Sequence, residues 1–474
     1  MVGQMIGPMT DVSVDSTARE MVAAVRSRAI SARELLDLHL ARIAERNPEL
    51  NAIVSLDEDR ARAGAAAADE ATASGAATGA LHGLPFAFKD THAAAGWRTT
   101  YGSPLFADNV PDTDDLVVER VRRAGVVVIG KTNVPEFAAG SHTFNTIFGT
   151  TLNPHDPTRS AGGSSGGAAA ALASGMVALA DGSDMGGSLR NPASFCGVVG
   201  LRPSLGRVPD WPTSNLWETT AVAGPLARNV SDLSLLLSVQ AGPDPHSPYA
   251  LADPGETFAP PPTPSLRGVK VALSLDLGGA FEVDSQVASV LAASREVFTD
   301  GGARVVEAFP DLHEADNTFR TLRAWLFQSA FGELLVANPL AFKASLAENI
   351  RAGESLSGAD VARAYAQRTA LAERMRLFFG EYDVLVLPVS QVPPFPADQE
   401  FPHDINGRPM ETYLDWMRSA YFITVTGCPA ISVPAGTTPD GLPVGIQIVA
   451  RHGAERQLLD VAAGFEVGHA TMTT

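Results

Sequence analysis

Along "SARELLDLHLARIAERNP" the apolar residues Leu35, Leu38 and Ile43 recur at near-helical spacing. Ser31 and Glu34 stand three apart as a capping box, and Pro48 supplies the stop. The pattern sets residues 1–70 as helical. An Ala/Gly/Thr stretch at 71–80 predicts an exposed loop, and "LPFAFKD" follows as a short apolar run ending at Lys89 and Asp90. Residues 115–124 return to a helical period, Gly125 turns the chain, and Val126–Ile129 predict a buried strand. Gly166–Ser174 reads as a helix opened by glycines, Met176–Ala180 as a strand, and "DGSDMGGSLRNP" as the loop after it.

Beyond a Pro-rich crossover at 259–265, residues 269–307 show a strand–helix–strand pattern and 313–380 are almost wholly helical. "DVLVLP", "AISVPA" and "LPVGIQIV" predict strands, and "ERQLLDVAAGFE" a closing helix. Strands alternating with helices over the whole length point to an α/β sheet covered on both faces. There is no internal repeat.

Composition narrows the class. At 474 residues the chain easily builds a packed core, and 45% hydrophobic with 19% charged residues describes an ordinary globular protein. A net charge of −18 argues against nucleic acid or an anionic membrane as partner. No apolar run reaches the roughly 18 residues of a membrane span, and the N-terminus lacks a basic segment followed by an apolar one. Cys196 and Cys428 sit in apolar stretches, which predicts two buried thiols in a reducing cytoplasm.

Two motifs match by letter only. "GVVVIGKT" (125–132) fits the phosphate-loop pattern, but a helix precedes it and its interior residues are strand formers that cannot curl around a phosphate. "GGSSG" (162–166) fits the nucleophile elbow of α/β-hydrolases, yet "TLNPHDPTRSA" before it holds two prolines and no strand pattern. The late histidines, His403 and His452, stand in polar, loop-like surroundings.

What remains is a serine with a lysine. Ser188 ends a glycine-rich turn where backbone N–H groups can converge on a developing oxyanion. Without a convincing histidine, a lysine held neutral is the next proton acceptor. Lys89, at the end of an apolar run, is placed for desolvation to lower its pKa.

The segment "AGGSSGGAAAALASGMVALADGSDMGGSLRNPASFCGVVGLRPS" (161–204) resembles the signature of the amidase signature family. "GLPFAFKD", "RRAGVVVIGKTNVPEF", "NPHDPTRSAGGSSGG", "PAISVPAG" and "GLPVGIQIVA" extend the likeness, whereas about 250–400 is not specific. The resemblance implies the amidase signature fold, a central mixed β-sheet covered on both faces by helices, as one domain over 1–474. Within it, helices would occupy 1–70, the signature core 75–250 and a helical cap 310–380. It also implies a Ser–cis-Ser–Lys triad, with Ser188 the nucleophile, Ser164 the bridging serine after a cis Gly163–Ser164 peptide, and Lys89 the base. The oxyanion would rest on backbone N–H groups of Met185, Gly186, Gly187 and Ser188. Ser165, Asp184 and Arg190 would brace the loops, Asp184 and Arg190 equally well as a local ion pair. No cofactor or metal is implied. The partner is a small amide or carbamate substrate, and the expected state is a cytoplasmic monomer or homodimer.

Members of the family split acyl–nitrogen bonds in aliphatic and aryl amides, fatty amides, cyclic oligoamides and carbamates. Esters are expected alongside. Some are glutaminase components of a tRNA amidotransferase. Against that role stand the acidic charge and the bulky Trp211 and Trp217 after Gly206. Ala138, Gly140, Trp211, Trp217, Trp325 and Phe327 are the candidate substrate contacts. Trp325, Phe327, Phe331 and Leu335 either pack the core or line an apolar pocket, in which case the substrate is uncharged and largely hydrophobic. A binding module without catalysis would have lost part of the triad, and all three residues are present.

Overall fold

A computed structural model of the chain describes residues 12–473. The part of the expected helical N-terminus before residue 12 lies outside them. Helices α1 (Ala18–Ser27), α2 (Ala32–Leu50) and α3 (Glu58–Ser74) lead the described chain. The capping box of α2 forms as the sequence predicts, with Glu34 N–H donating to Ser31 Oγ at 3.1 Å and Ser31 N–H to Glu34 Oε2 at 2.8 Å. Pro48 does not end it. The last turn continues to Leu50, which is buried, and Asn47 Oδ1 accepts from the N–H groups of Ala52 and Ile53 at 2.9 and 2.8 Å. Tertiary burial and that side-chain bridge outweigh the missing proline donor. The expected loop at 71–80 shortens for a similar reason: α3, rich in alanine, runs to Ser74 and ends at Gly75 in the left-handed region (φ 71°).

Strand β1 (Pro85–Lys89) pairs in parallel with β2 (Val127–Thr132), and α4 (Leu116–Arg123) connects them. The residues Gly130, Lys131 and Thr132 that imitate a phosphate loop are therefore part of a strand. Lys131 Nζ, fully buried, donates to Thr99 Oγ1 at 2.9 Å and to the His92 carbonyl. Next come α5 (Gly166–Ala173), β3 (Leu179–Asp184), α6 (Arg190–Cys196), β4 (Val199–Arg202), β5 (Val222–Ala227) and α7 (Val230–Gln240). They are followed by β6 (Lys270–Leu273), α8 (Ser285–Asp300), β7 (Arg304–Glu307), α9 (Ala315–Ala337), α10 (Ala344–Ala352) and α11 (Gly358–Phe378). The chain closes with β8 (Val384–Pro388), α12 (Arg418–Thr424), β9 (Ala430–Thr437), β10 (Pro443–Ala450) and α13 (Glu455–Thr473).

The main sheet has eight strands in the order β3-β5-β4-β9-β10-β8-β6-β7. Its β3 half is antiparallel, while β8, β6 and β7 run parallel, so the sheet is mixed as expected. Every residue of β10 is buried, which requires cover on both faces. One strand moves. The expected strand at 176–180 is observed at Leu179–Asp184, so the polar "DGSD" read as loop is strand. Antiparallel pairing with β5, from Leu179 opposite Ala227 to Asp184 opposite Val222, supplies the backbone partners that the side chains do not advertise. Cys196 and Cys428 are buried free thiols. Among the described residues no helix is long and apolar enough to cross a membrane.

The first turn of α5 presses against backbone. A Cβ on Gly167 would stand 2.3 Å from Asn133 N and 2.6 Å from Ala52 O. Gly167→Ala is expected to cost about 1–3 kcal/mol of stability, read as a lower urea midpoint.

Candidate active site

Three pieces of backbone converge here. β1 ends at Lys89, the turn before α5 carries Ser164 and Ser165, and β3 with the turn after it carries Ser183, Asp184 and Ser188. Lys89 is fully buried, and its Nζ lies 2.8 Å from Ser164 Oγ, 2.9 Å from Ser165 Oγ and 3.0 Å from Ser183 Oγ. The Lys89 N–H donates to Asp181 Oδ1 at 2.9 Å, which ties β1 to β3, and Asp181 also takes the His92 ring nitrogen Nδ1. Burial lowers the Lys89 pKa to about 7, although Asp181 and Asp184 pull it upward.

The Gly163–Ser164 peptide is cis. Its approach is held by side chains that the sequence did not advertise: Ser141 Oγ donates to Gly163 O at 2.7 Å and Thr143 Oγ1 to Gly162 O at 2.9 Å. Asn191 Nδ2 donates to Ser141 Oγ at 2.9 Å, and Ser165 N–H to Ser188 O at 3.2 Å, so the two serine turns are tied together.

Asp184 organises the second turn. Its carboxylate accepts from Gly187 N–H at 2.9 Å, Leu189 N–H at 3.2 Å, and Arg190 Nε and Nη2 at 3.0 and 2.9 Å; Arg202 Nη1 stands 3.4 Å away. Burial would raise the Asp184 pKa, but Arg190 and Arg202 outweigh it and hold the carboxyl well below the usual range. At Gly187, with φ 109°, a Cβ would meet Ala420 Cβ and Asn191 Nδ2, both at 2.7 Å; only glycine fits this turn. Asp184→Asn leaves two buried guanidinium groups short of their counter-charge and is expected to cost about 3–5 kcal/mol, measured by urea unfolding.

A cavity of about 310 Å³ opens onto these residues. Ser164, Ser183, Ser188 and Met185 form its floor. The 213–221 loop forms one wall and α9 the other, through Arg323, Leu326, Phe327 and Ala330, residues of one helical face. Ala138, Phe327 and Phe331 line the cavity, whereas Leu335 packs behind it with Phe327 and Phe342. Four candidate contacts lie elsewhere. Gly140 faces Lys343 and Tyr413, Trp211 stacks on His246 at 4.5 Å, Trp217 is 68% exposed, and Trp325 meets Tyr365 edge-on at 6.1 Å. Neither His403 nor His452 lines the cavity; His452 Nε2 lies 3.1 Å from Leu205 O. Among the described residues no group of His, Cys, Asp and Glu is arranged to hold a metal ion.

Sequence reasoning missed Ser183, Asp181, Arg202 and the 213–221 wall. Ser183 and Asp181 carried a signal, since a strand with a polar residue at every second place, at the end of the main sheet, exposes those side chains to one face.

Comparison with known proteins gives the family. The Amidase family model matches residues 34–459. An acylamidase of Rhodococcus erythropolis is 37% identical over 454 residues, covering 95% of this chain and 94% of its own. A glutamyl-tRNA(Gln) amidotransferase subunit of Synechococcus sp. (strain CC9605) is 36% identical over 467 residues, covering 93% and 94%. The crystal structure of a bacterial aryl acylamidase of the amidase signature family superposes with a TM-score of 0.89 at 29% identity, over 96% of each chain. A family match over most of the chain, with an acylamidase relative and an aryl acylamidase structure alike over nearly their whole lengths, makes this chain a member of the Amidase family: an amide-hydrolysing enzyme of the amidase signature fold.

Proposed function

We propose that the chain hydrolyses acyl C–N bonds of small amides, anilides or carbamates through a Ser188 acyl-enzyme, with Ser164 relaying protons to Lys89. The observation that carries this reading is the buried Lys89 amine, 2.8 Å from Ser164 Oγ and with its pKa lowered to about 7, beside a cavity shared by Ser164 and Ser188.

The hydroxyls around Nζ fit a neutral amine. Its lone pair takes the Ser164 proton, and its two hydrogens serve Ser165 and Ser183. Ser164 in turn takes the proton of Ser188 as Ser188 Oγ bonds to the substrate carbonyl carbon and the π electrons move onto oxygen. The Met185–Ser188 turn receives that oxyanion. Because the Gly187 N–H is held by Asp184, the remaining N–H groups of Met185, Gly186 and Ser188 are the donors. Collapse of the tetrahedral adduct breaks the C–N bond, and the proton returns through Ser164 to the departing amine. Water, deprotonated by the same relay, then releases the acid. Asp184 and Arg190 position the turn without touching substrate. Phe137, Leu326, Phe327 and Phe331 give the cavity its apolar walls, suited to an alkyl or aryl body.

The test is a panel of chromogenic anilides, carbamates and esters with wild type and Ser188→Ala. Turnover by wild type alone supports the reading; equal turnover by both overturns it. A second reading, favoured by the 36% identity to an amidotransferase component, is a glutaminase half of such a complex. Glutamine hydrolysis that depends on a copurified partner would favour it, and anilide turnover by the isolated chain would count against it.

A further inference from the structure

The α9 wall of the cavity holds a cation without a counter-charge. Arg323 lines the cavity and is only 5% exposed. Its Nε donates to Asn349 Oδ1 at 3.1 Å, Nη2 to Tyr413 Oη at 2.8 Å, and Nη1 meets the Met185 thioether sulfur at 3.1 Å. All three partners are neutral, and a thioether is a weak acceptor. Phe327 stacks under the guanidinium at 4.0 Å. Among the described residues no carboxylate lies within 4.0 Å of it, although the protein's other deeply buried arginines, Arg190, Arg202 and Arg207, each have one. The carboxylate that lines the opposite wall, Glu218, is occupied by its own turn, accepting from Thr220 and from Ala221 N–H at 3.0 Å. A buried guanidinium met only by neutral acceptors, one of them a weak thioether, keeps an uncompensated charge that an anion would complete.

We propose that Arg323 reads a carboxylate on the substrate, so that the preferred substrates are anionic amides with an apolar body and one carboxylate a few bonds from the scissile carbonyl. This rests on the hydrolase reading above and replaces the expectation of an uncharged substrate. The carboxylate displaces the Met185 thioether from Nη1. Met185 lies three residues before Ser188, on the turn that faces the reacting carbonyl, so the anion and the scissile bond are close neighbours in the cavity. The carboxylate belongs either to the acyl part or to the leaving amine, and paired substrates separate the two.

The experiment compares succinyl-p-nitroanilide with butyryl-p-nitroanilide, and N-acetyl-4-aminobenzoate with N-acetyl-4-toluidine, in wild type, Arg323→Met and Arg323→Lys. In at least one pair, wild type is expected to favour the charged member by about tenfold or more in kcat/KM. Arg323→Met is expected to collapse that ratio to near one, and Arg323→Lys to restore part of it. Ratios within one variant cancel any loss of folded protein. Equal turnover of both members of both pairs by wild type, or a ratio unchanged in Arg323→Met, overturns the inference and leaves amide hydrolysis intact. Calorimetric binding to Ser188→Ala reads the same preference without chemistry. Tighter binding of a charged member there, with no turnover by wild type, would uphold Arg323 and sink the hydrolase reading instead.

Discussion

Ser188→Ala is expected to lose about ten-thousand-fold or more in kcat against any substrate that wild type cleaves, while its urea unfolding curve stays close to that of wild type. The hydroxyl is removed from a residue that is 8% exposed at the cavity floor, and among the described residues no hydrogen bond of its Oγ holds the fold. What ties the turn in place is the Ser188 carbonyl, which accepts from Ser165 N–H, and alanine keeps that carbonyl. A burst of leaving group from a slowly deacylating ester, present in wild type and absent in the variant, would identify Ser188 as the residue that carries the acyl group. A variant with wild-type turnover would assign the nucleophile elsewhere.

Lys89→Met is expected to lower kcat/KM by about a thousandfold or more, and its effect on pH dependence is more telling. The base works only when neutral. With its pKa lowered to about 7, kcat/KM in wild type should rise with pH through about 7 and level off above it. The sign follows from the charge: below that value Nζ is an ammonium with three protons and no lone pair for Ser164. Residual activity of Lys89→Met should lack this rise. The three hydroxyls about Nζ make methionine a harsh replacement, so Ser183→Ala serves as a milder companion. It leaves Ser164 and Ser165 in place, removes one acceptor of a Lys89 proton at 3.0 Å, and is expected to shift the inflection while keeping most of the plateau. An unchanged profile in both variants would assign the base to another group.

The outline of the fold was legible where pattern and burial agree. β1, β8 and β10 are buried along their whole length, as are the first four residues of β9, and β2 is buried but for Val128; the sequence marks these runs by their apolar composition. β3 begins three residues later than the pattern predicts because its far end is Asp181, Ser183 and Asp184, residues that local preference sends to loops. Their place in a strand comes from β5, roughly forty positions later, and from Lys89 and Arg190, which use those side chains. Helix α6 was hidden in the same way, inside a segment with Pro192 and few helix formers. Pro48 misled in the opposite direction, since Leu50 and Asn47 hold a last turn that the proline alone would end.

At the site, Lys89, Ser164, Ser165, Asp184 and Arg190 stood in the chain as recognisable letters, and the fold draws them together. The cavity walls did so only in part, since Ala138, Phe327 and Phe331 are candidates that line it. Trp211, Trp217 and Trp325 are bulky enough to serve as contacts, but one stacks on a histidine, one faces solvent and one meets a tyrosine on the far side of α9. Arg323, an ordinary letter in a helical run, faces the cavity beside Phe327. Which side of a long helix faces a void depends on what packs behind it, here Leu335, Phe342, Leu346 and Ile350, and a single helix pattern does not contain that information.

The wall built from α9 therefore has a consequence for divergence. The groups proposed to react come from residues 89–188, whereas the helix that walls the cavity comes from far down the chain and faces it with Arg323, Leu326, Phe327 and Ala330 on one stripe. On the proposed mechanism, exchanging that stripe is expected to alter what is admitted without disturbing the proton relay, so drift at 323, 326, 327 and 330 would change a lineage's diet while its bond-breaking apparatus stands still.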